Sequence, residues 1–150
     1  MQAKRGFTLV EILIVVVILG ILAAIVIPQF TQASTEAKTN SLMSDLQTLR
    51  SQIELYKVQH NDIAPNAGDA TPSFTQQMVF TSNSDGDVST DKVRTSTYNL
   101  GPYLERVPEN PFNSLATVGP IGTTDASVGW AYDPNTGEIR SAYSAAQADL

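Results

Sequence analysis

The sequence predicts an α+β fold: one long N-terminal α-helix packed on a small antiparallel β-sheet head. Three observations predict it. Residues 12–27 are apolar at every position except Gly20. Apolar residues then recur at helical spacing as far as about Gln59. Near the C-terminus, aromatic residues alternate with small ones around a turn, which is typical of a β-hairpin.

Composition limits the classes of function. The chain has 150 residues, which is room for one small domain. It holds 15 acidic and 9 basic residues, so the basic patch of a nucleic-acid-binding head is missing and we expect no nucleic-acid partner. Cysteine is absent, which excludes disulfides, thiolate catalysis and cysteine zinc sites.

The N-terminal segment is long enough to span a membrane. Phe7 to Ile27 is 21 residues, or roughly 30 Å of helix, about one bilayer core. It could be a cleavable secretory signal, or a signal anchor held by Lys4 and Arg5 on the cytoplasmic side. Neither interpretation explains Glu11. Ionisable residues inside membrane segments are rare, and each is a candidate functional residue.

The stretch "KRGFTLVEILIVVVILGILAAIVIPQF" (residues 4–30) resembles the type III signal of type IV pilins and type II secretion pseudopilins. In that family a prepilin peptidase cuts after the glycine, and the new N-terminal phenylalanine is N-methylated. The resemblance therefore implies cleavage between Gly6 and Phe7 and methylation of Phe7. Unlike an ordinary signal peptide, the apolar helix would stay with the protein.

The same resemblance implies three segments and the type IV pilin fold. Residues 1–6 would be a cleaved leader, and residues 7–28 the transmembrane and assembly helix. Residues 29–150 would form a globular head that includes the amphipathic second half of the long helix.

Glu11 lies one helical turn from the ammonium that cleavage would create on Phe7. In a bundle of parallel helices, this carboxylate can meet the ammonium of a neighbouring subunit. Opposite charges attract strongly in a low dielectric, and either one left unpaired is heavily penalised. We expect Glu11 to set axial register in assembly; the alternative is that it lies at the headgroups and is solvated there.

Gly20 and Pro28 bracket a segment of weakened helix. Proline removes a backbone hydrogen bond, and glycine lowers helix propensity by about 1 kcal/mol. Both are tolerated in membrane helices, so a packing role for Gly20 is an alternative. The filaments that this sequence resembles extend and partly unwind the helix between these two positions.

The head begins with an amphipathic helix. Its apolar stripe has steps of four, three, four and three residues: Leu42, Leu46, Leu49, Ile53 and Tyr56. Because the stripe covers barely two heptads, packing on a sheet is favoured over a coiled coil. "NDIAPNAG" ends the helix, and "SFTQQMVF" predicts a short helix with Ser73 as its N-cap.

The C-terminal half contains one clear hairpin. In "VGWAYDPNTGEIRSAY", Trp130 and Tyr132 alternate with small residues, as do Ile139 and Tyr143. The preceding "GPYLERVPENPFN" (residues 101–113) excludes long regular structure and resembles the heads of the major pseudopilins, the G subunits of type II secretion. Many true pilins close a C-terminal loop with a disulfide, so the lack of cysteine favours a pseudopilin over a true pilin.

Two segments are candidates for calcium. The first carries oxygen ligands at alternating positions: Asp85, Asp87, Ser89 and Asp91. An Asp-Gly turn between two short strands explains the same residues and is favoured. The resemblance implies instead a calcium loop after "NPFN", but that stretch has a single acid, Asp125, which with Ser127 and backbone carbonyls could form only a weak site. Whether the protein binds calcium stays an open question at this point, and no other cofactor is expected.

His60 is the sole histidine. It ends the long helix, and no nucleophile motif accompanies it. We expect an exposed, helix-terminal side chain and a protein that is not an enzyme.

The leading hypothesis is a structural subunit of a type IV pilus-like filament, most like a major pseudopilin, that drives protein export. It would span the inner membrane once, with its N-terminus cytoplasmic and its head periplasmic, and its filament would lie in the periplasm or at the cell surface. Its partners would be further copies, prepilin peptidase, the inner-membrane assembly platform and minor pseudopilins. The alternatives are a type IVa pilin for adhesion or twitching, and a signal-anchored extracytoplasmic binding module.

Overall fold

The computed structural model describes residues 6–67, 70–123 and 127–143. Its elements, in chain order, are α1 (Leu9–Gln59), α2 (Phe74–Val79), β1 (Val118–Pro120), β2 (Trp130–Asp133) and β3 (Glu138–Ser141). A long helix with a small sheet confirms the α+β class. The chain divides into two compact units between Ala37 and Lys38, both within α1.

The first unit ends at Ala37 and contains the N-terminal part of α1 together with the residues that precede it. Its large apolar side chains, from Phe7 to Phe30, all lie exposed. This part of α1 has the length and composition of a membrane-crossing helix. Pro28 lies inside the helix. Three residues later, the hydroxyl of Thr31 donates a hydrogen bond to the carbonyl of Ile27 at 3.3 Å.

The second unit packs around the stripe on α1. All five stripe residues predicted from the spacing are buried, with at most 1% of each exposed. The helix ends where Asn61 and Asp62 take positive φ angles of 54° and 67°, which Asn and Asp tolerate better than most residues. The predicted stripe and the predicted end of the helix are both confirmed.

Helix α2 forms where its capping residues predict it. The Ser73 side chain accepts from the Gln76 N–H at 3.3 Å, and the Gln76 side chain accepts from the Ser73 N–H at 2.9 Å. These reciprocal bonds are a capping box that satisfies two donors left free at the helix start. The prediction of Ser73 as N-cap is confirmed, and α2 places Phe74 and Met78 in the core.

The sheet has the strand order β1-β2-β3. Strands β2 and β3 pair antiparallel as the predicted hairpin, with Tyr132 opposite Ile139. The prediction of a wholly antiparallel sheet is corrected, because β1 pairs parallel to β2. A strand of three residues is too short to show a period in sequence, and Pro120 suits this edge position because it has no N–H to donate.

The sheet closes over the stripe of α1. Trp130, Tyr132 and Ile139 are buried and belong to one core cluster with the α1 stripe. Arg50 on α1 donates to the carbonyl of Ile139 at 3.2 Å, and the Tyr132 hydroxyl donates to the carbonyl of Pro65 at 3.0 Å. Packing and polar contacts together join the first and last elements of the head.

Candidate functional site

The junction at which cleavage is predicted lies outside the helix. Residues 6–8 have no regular secondary structure, and α1 begins at Leu9. Phe7 is 84% exposed, and a Cβ built on Gly6 would meet no atom of the described residues within 4 Å. The Gly6–Phe7 peptide is therefore accessible as a short non-helical segment.

Glu11 and Thr8 form a capping box at the start of α1. The Glu11 carboxylate accepts from the Thr8 N–H at 2.7 Å and from the Thr8 hydroxyl at 2.8 Å. The Glu11 N–H donates back to the Thr8 hydroxyl oxygen at 3.3 Å. This capping box was not predicted from the sequence, although its signal, Thr-x-x-Glu before an apolar run, is visible in "TLVE".

The capping box fixes where the Glu11 charge lies. Its carboxylate is held at the helix N-terminus, where the helix dipole favours negative charge. It is also the sole acidic residue from Phe7 to Thr35. A cation close to Phe7 would thus find one carboxylate, already oriented towards the start of the helix.

Gly20 and Pro28 both lie within helical backbone. Among the described residues, a Cβ built on Gly20 meets nothing within 4 Å, so no contact that the structure describes requires glycine there. Unwinding between these two residues stays a prediction.

The first calcium candidate forms a turn built on Asn83. The Asn83 side-chain oxygen accepts from the N–H groups of Asp85 and Asp87 at 3.1 and 2.9 Å. Its amide group donates to the Asp87 carboxylate at 3.1 Å. Gly86 has a φ of 87°, and Ser82 and Val88 pair antiparallel on either side, as the favoured turn requires.

In the part of the chain that is described, the acidic side chains do not form a cluster that could bind a metal ion. There, no three His, Cys, Asp or Glu side chains are grouped so that they could hold an ion. Asp125 lies outside the described residues, and the Ser127 carbonyl accepts from the Thr117 hydroxyl at 3.3 Å.

His60 is buried, which corrects the expectation of an exposed side chain. Only 1% of it is exposed. Its ring stacks on Tyr56 at 3.7 Å between centroids. Nδ1 lies 2.8 Å from the Tyr56 carbonyl and Nε2 lies 3.0 Å from the Ser82 hydroxyl. Since a carbonyl only accepts, Nδ1 carries the hydrogen and Nε2 of the neutral ring accepts from Ser82.

Burial lowers the pKa of His60, although its backbone hydrogen bonds act in the opposite direction. The unfolded chain then binds a proton more readily than the folded chain. The contribution of neutral His60 to the free energy of unfolding is fully present above the ordinary histidine pKa of about 6.5. It is lost as the pH falls below that value. His60 is therefore a structural group whose protonation state affects the stability of the head.

We expect the free energy of unfolding to fall between pH 7.5 and 5.5, by at most about 1.4 kcal/mol for this single group. The measurement is chemical unfolding of the full chain in detergent at both pH values. His60→Phe is the matched control: it keeps a ring against Tyr56 but cannot titrate, so its stability should change less with pH. An equal loss in both proteins would contradict the assignment to His60.

Comparison with known proteins agrees with this architecture. The prokaryotic N-terminal methylation motif matches residues 1–27. The type II secretion system core protein G of Klebsiella pneumoniae is 30% identical over 128 residues, covering 83% of each chain. The protein of the same name from Klebsiella michiganensis is 40% identical over 127 residues, covering 83% of this chain and 81% of the relative. That of Pseudomonas aeruginosa is 30% identical over 126 residues and 80% of each chain. No solved structure is a significant match.

A methylation motif on an exposed apolar helix, together with a small α+β head, defines a type IV pilin-like protein. Within that class, the chain belongs to the type II secretion system core protein G family. The resemblance to major pseudopilins inferred from the sequence is thereby confirmed.

Proposed function

We propose that this chain is the major pseudopilin of a type II secretion system, a structural subunit that polymerises into a helical filament. The observation that carries the proposal is the apolar helix of the first unit, whose large side chains are exposed all round. Such a surface needs hydrocarbon or further helices around it. The membrane supplies the hydrocarbon before assembly, and a bundle of further copies supplies the helices after assembly. The proposed work is mechanical, with no catalytic step.

Processing would occur at the non-helical junction. Prepilin peptidase would cut between Gly6 and Phe7, and Phe7 would then be N-methylated. The accessible Gly6–Phe7 segment and the motif match over residues 1–27 support this assignment. Removal of the leader leaves the Thr8–Glu11 capping box intact, because both of its residues follow the cut.

The new ammonium on Phe7 gives Glu11 a partner of opposite charge. In the filament, Glu11 of one subunit would pair with the Phe7 ammonium of its neighbour and set the axial register. The capping box supports this role, since it already holds the carboxylate at the correct end of the helix. Flexibility between Gly20 and Pro28 would let the helix adjust as subunits pack.

We place the chain in the inner membrane as a single-pass protein. Lys4 and Arg5 precede the apolar helix, so the positive-inside rule keeps the N-terminus cytoplasmic and the head periplasmic. The partners at that location would be the assembly platform and minor pseudopilins. The filament would then grow into the periplasm and drive export.

Mass spectrometry of the protein purified from membranes tests the proposal. The expected mass corresponds to loss of residues 1–6 and addition of one methyl group. An intact N-terminus, or cleavage after the alanines near residue 24, would contradict it. Deleting the gene should abolish secretion of exported proteins; loss of surface fibres and twitching with secretion intact would indicate a type IVa pilin instead.

Replacing Gly6 by a bulky residue such as leucine should leave the precursor uncleaved. A peptidase must approach the extended backbone closely at this junction, and only a very small side chain permits that approach. The measurement is the ratio of precursor to processed chain on immunoblots, with Gly6→Ala as the milder control. Normal processing of Gly6→Leu would contradict the assigned cleavage site.

A further inference from the structure

Three consecutive backbone carbonyls lead into strand β2, and each accepts a hydrogen bond from a side chain of residues 110–117. The bonds run from Thr117 Oγ1 to the Ser127 carbonyl (3.3 Å), from Asn113 Nδ2 to the Val128 carbonyl (2.8 Å) and from Asn110 Nδ2 to the Gly129 carbonyl (2.9 Å). We call Asn110, Asn113 and Thr117 the donor clasp. It fastens the chain immediately before the buried Trp130.

The orientation of both amides in the donor clasp is fixed by their other hydrogen bonds. Asn110 Oδ1 accepts from the Phe112 N–H at 3.0 Å, and Asn113 Oδ1 accepts from the Leu115 N–H at 3.2 Å. Flipping either amide would set its oxygen against a carbonyl and its NH₂ against an N–H. Asn110 is also fully buried and donates to the Ser141 hydroxyl at 2.9 Å. The two amides must therefore present hydrogens to the carbonyls of Val128 and Gly129.

That arrangement does not suit a cation at these carbonyls. Calcium binds six to eight oxygens that offer lone pairs, whereas each carbonyl oxygen of residues 127–129 already accepts at least one N–H or O–H group, and that of Gly129 accepts two. Residues 114–129 also contain a single acidic residue, Asp125. We infer that the donor clasp, rather than a bound divalent cation, holds residues 127–129 in place, so that the head is fastened independently of calcium. The inference concerns the stability of the head and does not rest on the proposed function.

Thermal unfolding of the full-length chain in detergent tests the inference. Trp130 is the only tryptophan and lies buried directly after the clasped residues, so its fluorescence reports their release. The wild-type midpoint should be the same in millimolar CaCl₂ as in EDTA. Asn113→Ala should lower the midpoint by roughly 4 °C or more in both solutions.

Asn135→Ala is the matched control, because the Asn135 amide donates to an exposed carboxylate, that of Asp133, in the β2–β3 turn. It should shift the midpoint much less. Should Asn113→Ala fail to fold, Thr117→Val removes one hydroxyl donor at similar volume, and Thr117→Ser retains it. A wild-type midpoint raised by several degrees in calcium would overturn the inference. So would clasp variants as stable as the wild type.

Discussion

Glu11→Ala should leave the chain inserted and cleaved but reduce filament yield by a factor of roughly one hundred or more. Insertion should persist or improve slightly, since a charge opposes partitioning into the bilayer. Assembly should fail because the Phe7 ammonium of each incoming subunit loses its partner on entering an apolar bundle. An uncompensated buried charge costs on the order of 3–5 kcal/mol, which sets the expected size of the effect.

The capping box makes two further variants informative. Glu11→Gln keeps a side-chain oxygen that can accept from the Thr8 N–H, but it has no charge. Thr8→Val keeps the charge of Glu11 and removes the hydroxyl that donates to it at 2.8 Å. If pairing with the ammonium dominates, Glu11→Gln should be nearly as harmful as Glu11→Ala, and Thr8→Val should be much milder.

The measurement is the yield of sheared or cross-linked filaments from cells that express each variant at equal, processed levels. Normal yield from Glu11→Ala would mean that the carboxylate is merely solvated at the headgroups. Normal yield from Glu11→Gln alone would mean that capping the helix, not pairing of charges, is what assembly requires.

Gly129→Ala should be the most damaging alanine substitution among the glycines of the head that the structure describes. A Cβ built on Gly129 would clash with the carbonyl oxygen of Leu115. That oxygen belongs to the backbone and accepts from the Asn110 N–H at 2.9 Å, so it cannot move aside freely. We expect a loss of about 3 kcal/mol or more, at the upper end of overpacking effects, and a thermal midpoint lower by at least ~10 °C.

Gly119→Ala is the control for this variant. Its Cβ would meet side-chain atoms of Val128 at 3.2 and 3.3 Å, and a side chain can give way where a backbone carbonyl cannot. Unfolding followed by Trp130 fluorescence should rank Gly129→Ala well below Gly119→Ala. Equal stability of the two variants would show that the segment at Leu115 yields easily.

The parts of the fold that the sequence predicted are those that depend on local pattern. The stripe from Leu42 to Tyr56 follows from helical spacing alone, and the β2–β3 hairpin follows from alternation around "DPNTG". Ser73 could be assigned as an N-cap because its capping partner lies only three residues away. Each of these signals is complete within a short window of residues.

The features that were missed depend on distant partners or on a second role for a residue. His60 is buried because Ser82 and Tyr103 meet it from later in the chain, and nothing near His60 in sequence indicates that contact. The donor clasp joins residues 110–117 to residues 127–129 by bonds that no spacing rule predicts. Glu11 was interpreted only through its charge, so its local bond to Thr8 was overlooked although "TLVE" displays it.

The pairing of α1 with β3 has a consequence for biosynthesis. Arg50 reaches the carbonyl of Ile139 across 89 residues of sequence, and the core joins the stripe on α1 to Trp130, Tyr132 and Ile139. The ribosome makes α1 before the hairpin, so the part of the core that Trp130, Tyr132 and Ile139 supply is missing until β3 has been translated. Contacts so distant in sequence also form slowly. The nascent head therefore cannot complete its core until β3 has been translated, and part of the stripe stays exposed to chaperones until then.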